Sequence, residues 1–271
     1  MLQYYYKLLD WIPLEKLDWT LISINQEAIH LLEQNPDKIV WSNLSANPAA
    51  IHLISEALEQ NLDKINWSRL SENTKAIHIL EKNTNKINYW NISNNPAAIR
   101  FLEQNPDKID WKSLSANPAA IHLIEQNLDK INWNWLSKNP AAIHLLEQNL
   151  DKIDWNWLSV NPAAIHLLEQ NLDKIDWTYL SVNPAAIHLI SEALEQNPDK
   201  INWWWLSTNP KAIHLLEQNP DKIDWNWLSR NPAIFTYDYK HIAEQRWPIN
   251  KEIIQNRFHP KNMKYLSLIH I

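Results

Sequence analysis

Histidine is the first residue type in this chain whose spacing could do chemistry. His30, His52, His78, His122, His144, His166, His188 and His214 each follow an isoleucine and recur on a frame of 22 or 26 residues, with Arg100 at the same place once. Imidazoles on neighbouring layers of a repeat could ligate a transition metal or titrate near neutral pH. Three facts weigh against a metal ladder. A helical wheel puts the position in the middle of the polar face, no cysteine or second histidine completes a ligand set within a unit, and Arg100 would repel a cation. The position therefore reads as a solvated polar face. Were the imidazoles to stack on one another, protonation near pH 6 would add like charge along that face and weaken the array.

Asp-Lys pairs such as Asp151-Lys152 and Asp173-Lys174, and serines such as Ser159, also recur in near-equal copies. An active site needs one unlike constellation in a pocket, whereas repeated copies of this kind read as turn and cap residues. The chain has no glycine, which removes phosphate-cradling loops, dinucleotide fingerprints and Gly-x-Ser-x-Gly nucleophile elbows together. It has no cysteine either, so thiolate metal sites, disulfides and cysteine nucleophiles are excluded, in keeping with a reducing compartment. No catalytic, cofactor-binding or metal-binding residue is assigned, and no cofactor is expected.

Aromatic residues carry more information. One follows an Asp or Asn in nearly every unit: Trp41, Trp67, Tyr89, Trp111, Trp133, Trp155, Trp177, Trp203 and Trp225. That regularity is expected of inter-layer core packing. Two positions further on stand Asn43, Arg69, Asn91 and Ser113 in the first four units, then Trp135, Trp157, Tyr179, Trp205 and Trp227 in the last five. A core site would not take Arg and Trp interchangeably, so this position is expected to be partly exposed and to lay an aromatic stripe along the C-terminal half. Trp204 adds a further ring. These six residues, Trp135, Trp157, Tyr179, Trp204, Trp205 and Trp227, form the candidate partner-binding set.

The elements that must position them follow from the repeat. Units begin at Asn25, Asn47, Asn73, Asn95, Asn117, Asn139, Asn161, Asn183 and Asn209, seven of 22 residues and two of 26, ending at Arg230. In the unit from Asn139, Asn139 suits an N-cap and Pro140 the first helical position, and Ala142, Ile143, Leu145 and Leu146 fall within an arc of about 160°. Asn149 is expected to end this helix in a left-handed conformation. Both long units insert four residues, one helical turn, so that Ala57 and Leu58 return to the same apolar arc. The second half of the unit, Asp-Lys-Ile-Asp/Asn-Trp-x-x-Leu-Ser, reads as a second, one-turn helix, with Val40 as a poor cap. A leucine-rich-repeat horseshoe has a compatible period but lacks its strand signature here.

The expected architecture is thus all-α: an open α-solenoid of nine helix-turn-helix repeats of 22–26 residues over 25–230, with divergent caps at each end. Residues 1–24 hold an N-terminal cap and the half unit Lys16-Leu17-Asp18-Trp19; Tyr4 to Trp11 are expected to cover the first unit. Residues 231–271 restart a unit at Asn231-Pro232-Ala233, then diverge, and are expected to cover the last. That segment is net +3 while the nine units are net −8, and the whole chain is −6. Such a balance disfavours nucleic acid and anionic lipid. No apolar run is long enough to span a bilayer and the start lacks signal-peptide features, so a soluble intracellular protein is expected.

The unit Asn-Pro-x-Ala-Ile-His-Leu-Leu-Glu-Gln-Asn-Pro-Asp-Lys-Ile-Asp-Trp-x-x-Leu-Ser resembles the tandem repeats of proteins encoded by mimivirus-like giant DNA viruses of amoebae, over residues 25–230. The ending Asn231 to Tyr239, followed by Phe258-His259-Pro260-Lys261-Asn262, looks like the segment that closes those arrays. The resemblance implies a viral protein in the host cytoplasm or the virion, and it brings no catalytic residues. The leading expectation is a non-enzymatic scaffold binding a protein partner, such as a host protein. A structural, self-assembling role is the alternative, and single-stranded nucleic-acid binding through stacked aromatics ranks below both because of the acidic repeats.

Overall fold

The computed structural model describes residues 6–60, 63–240, 242–244 and 251. Tyr4, Tyr5 and residues 252–271, including Phe258 to Asn262, lie outside the described residues. Among those described, no helix is long and apolar enough to cross a membrane.

The helix-turn-helix solenoid expected from the sequence is the observed architecture. In the unit from Asn139, a 3-10 turn Pro140–Ala142 runs into an α-helix Ile143–Glu147, and a second α-helix spans Trp155–Ser159. Asn139 caps the leading helix, its Oδ1 accepting from the Ala141 N–H at 3.0 Å. Asp154 caps the trailing one, accepting from Asn156 and Trp157. Val40, with no side-chain acceptor, makes no such cap. Ala142, Leu146 and Leu158 are fully buried between layers. The inserted turn lengthens the leading helix to Ile51–Glu59 in one long unit and Ile187–Gln196 in the other, and Ala57 is buried as the periodicity requires.

Two local expectations are corrected. Between the helices lies a further 3-10 turn, Leu150–Lys152 in this unit. Asn149 is not left-handed: its φ is −137°, and its Nδ2 donates to the Leu145 carbonyl at 2.9 Å. The side chain satisfies a carbonyl that a left-handed backbone would otherwise have reached, so the helix ends without positive φ.

Layers are stitched by polar groups inside the core. The Asn139 Nδ2 donates back to the carbonyls of Ser115 at 3.0 Å and Asn117 at 3.1 Å, and Asn161 repeats this on Ser137 and Asn139. Ser159 Oγ donates to the Trp155 carbonyl and accepts the Asp176 N–H at 3.1 Å. Each layer therefore presents carbonyls and a hydroxyl on one side and an amide and an N–H on the other.

The ends, expected to stand open under separate caps, instead meet. Asn25 Nδ2 donates to the carbonyls of Ser229 at 3.0 Å and Asn231 at 3.1 Å, and the Asp18 N–H donates to Ser229 Oγ at 2.8 Å. The same set of bonds joins the layers within the array. Strand β1 (Tyr6–Leu8) pairs antiparallel with strand β2 (Phe235–Tyr237), Leu8 opposite Phe235. The turn Pro232–Ile234 and the helix Trp19–Ile22 supply the two halves of a tenth unit, with β2 standing where a leading α-helix would continue. Closure into a ring gives partners to the Asn25 amide and the Ser229 carbonyl, which an open array would leave unpaired.

Candidate functional site

The trailing helices carry both aromatic positions, and their N-caps fix which way each ring turns. The first aromatic was expected in the core. Trp155 and its equivalents are instead half-buried, packed against the edge of the core. The turn lysine of the next unit covers them: Lys174 Nζ lies 4.4 Å from the Trp155 ring centre and Lys152 4.5 Å from Trp133. Lys16 sits over Trp225 at 4.5 Å, repeating the contact across the seam. Sequence reading took these lysines as solvated turn residues and missed the cation–π link.

The second aromatic position forms one continuous row. Ring centres are separated by 6.3 Å from Trp135 to Trp157, 5.5 Å to Tyr179, 6.3 Å to Trp205 and 5.7 Å to Trp227. Trp204 stands edge-on to Trp205 at 4.8 Å and Trp227 at 4.5 Å, and is 40% exposed. The five rings of the row are half-buried, as their interchange with Arg69 led one to expect. Among the described residues, no indole N–H of the row donates a hydrogen bond, and none is sealed from solvent. Asn91 and Ser113 depart from the expected exposure: both are buried.

Trp90 lies along the same stretch. It reaches over the intervening helix Trp111–Ser115 to meet Trp135, two units on, with ring centres 5.8 Å apart. The contact brings side chains of non-adjacent units together. Beneath it lies a recess of about 230 Å³ lined by Glu72, Trp90, Asn91, Asn94, Asn95, Trp135 and Lys138. Asn91 Oδ1 and Ser113 Oγ are buried there or beside it without a hydrogen-bond partner. Burial lowers the pKa of the Lys138 ammonium, whose Nζ lies 4.0 Å from the Trp135 ring centre and 5.0 Å from that of Trp157. Sequence reading missed Trp90. The signal in the sequence was its position, the same as that of Trp204, directly after the first aromatic.

The histidines do not face one another. His144 Nε2 lies 2.8 Å from Glu125 Oε1 of the preceding unit, and His52, His122, His166 and His188 repeat the pair with Glu33, Glu103, Glu147 and Glu169. The position is on the polar face, as expected, and each of these imidazoles meets a carboxylate of the preceding unit rather than another imidazole. After the long units the pairing register falls on Ser55 and Ser191, because the inserted turn carries the glutamate onward.

Comparison with protein-family models, with curated proteins and with solved structures finds no match to this chain.

Proposed function

We propose that the ring is a non-enzymatic scaffold whose aromatic row holds an extended segment of a partner protein. The observation that carries this reading is the row of five half-buried rings whose N–H and O–H groups are left to water. Amphipathic rings of this kind bind through an apolar face and a polar tip together. The spacing supports an extended occupant. Two residues of a β-strand advance about 6.6 Å, close to the 5.5–6.3 Å between successive rings. Alternate side chains would then meet successive rings while main-chain carbonyls accept from the indoles. Recurrence of every polar motif in near-equal copies favours architecture over catalysis.

Selection of a displayed peptide library on the intact ring tests this. Selected peptides should lose at least about tenfold in affinity, by fluorescence anisotropy, on a Trp157→Ala, Trp205→Ala ring of unchanged circular dichroism. A selection that enriches nothing, or peptides indifferent to the double substitution, would overturn it.

A further inference from the structure

We propose that the recess under Trp90 and Trp135 is a carboxylate-binding site that takes the free C-terminal end of an extended peptide. The proposal rests on the peptide reading of the row for the rest of that chain. The recess lies where the row begins: Trp135 is both its wall and the first ring. Its chemistry is unlike that of the stretch beside it. At the position between Ser and Asn where Lys138 stands, the next two units carry Val160 and Val182.

Two groups in the recess lack what a carboxyl terminus would supply. Lys138 has an aromatic face on one side and no carboxylate partner among the described residues, and its burial, which removes part of its hydration, lowers its pKa. An ammonium in this state gains more from an anion than one in bulk water does. Asn91 Oδ1 is an acceptor only, in a residue 5% exposed, and its own Nδ2 is already committed to the Ser68 carbonyl at 2.7 Å and the Ser68 hydroxyl at 2.9 Å. A buried acceptor without a donor is costly; Asn91 Oδ1 is sealed from solvent, so the last amide N–H of a peptide, a donor held a fixed distance from the carboxylate, reaches it only as the Asn91 side chain shifts on binding. Glu72, the one anion in the lining, is engaged by Arg69 at 3.4 Å, so its charge is compensated. The indole walls suit the terminal side chain. A peptide amide, which replaces the anion with a neutral group, would lose the Lys138 interaction while keeping every other contact.

The minimal probes are N-acetyl-leucine and N-acetyl-leucinamide, titrated into the ring while the indole N–H signals of Trp90 and Trp135 are followed by NMR. The acid should shift both signals with millimolar affinity. The amide should bind at least about tenfold more weakly, Lys138→Met should remove the preference, and Lys138→Arg should retain it. Equal responses to acid and amide, a preference that survives Lys138→Met, or no response to the acid up to about 50 mM would overturn the assignment. Failure here leaves the row to its own test: library peptides that bind through Trp157 and Trp205 equally well as acids and amides sink the recess alone.

Discussion

At the residue scale the asparagine that opens each unit does three jobs with one side chain. Asn139 accepts from its own helix through Oδ1 and donates through Nδ2 to two carbonyls of the layer before, all with no exposure to solvent. Asn139→Ala should therefore cost more than a lost surface cap, on the order of 3 kcal/mol, because the buried Ser115 carbonyl and the Ala141 N–H are orphaned together and the Asn117 carbonyl keeps only the Ala120 N–H. Asn139→Asp keeps the cap acceptor but turns an anionic oxygen toward those carbonyls. It should be the less stable variant at neutral pH and recover on acidification as the carboxyl protonates and donates. Denaturant titrations at two pH values check the order; an aspartate variant as stable as wild type at pH 7 would refute the ladder. The cap half of this role was legible in Asn-Pro-Ala-Ala. The donating half was not, because it depends on how closely two layers approach, a distance that no single unit encodes.

Element lengths were the most legible feature, and for a physical reason. Burial of one face fixes helix phase, so only whole turns can be added, and the two long units each add four residues. Inserting Ser-Glu-Ala-Leu between Leu146 and Glu147 should then be tolerated within about 1 kcal/mol, since it copies the long units. Inserting only two residues rotates the remainder of the helix by about 200° and should unfold the array or cost several kcal/mol. Calorimetry of the pair decides it, and equal stability would mean that the leading helix is not read by phase. Short-range signals failed at Asn149, where a side-chain bond replaced the expected left-handed backbone. They failed again at the aromatic row: the interchange of Arg and Trp disclosed partial exposure, but neither the burial of Asn91 and Ser113 nor the reach of Trp90 to Trp135 across two units could be read from one unit.

At the scale of the whole molecule, the seam decides whether this is a ring or a filament. The half unit Lys16-Leu17-Asp18-Trp19 and the restart Asn231-Pro232-Ala233 were each legible in the sequence; that they complete one unit, with β1 on β2 at the junction, was not, because the ends were expected to stand apart under separate caps. The faces brought together are complementary and unlike, carbonyls and a hydroxyl on one and an amide and an N–H on the other, so an opened ring presents a head-to-tail interface. Phe235 is 8% exposed and lies opposite Leu8 in the strand pair, so Phe235→Asp buries a charge at the seam. The variant should keep its helical content while its radius of gyration rises and, with concentration, it associates into chains. The wild type has a milder version of the same release. A hydrogen bond to Tyr237, with burial and Glu27, raises the Tyr6 pKa, so the folded ring favours the neutral phenol. Its contribution is full below about pH 10, the ordinary tyrosine value, and is lost as pH climbs through the raised one. Alkaline opening of this kind should be absent from Tyr6→Phe. Small-angle scattering across concentration and pH reads both effects, and a Phe235→Asp ring that stays monomeric with unchanged dimensions would show that the interlayer bonds hold the closure without the strands.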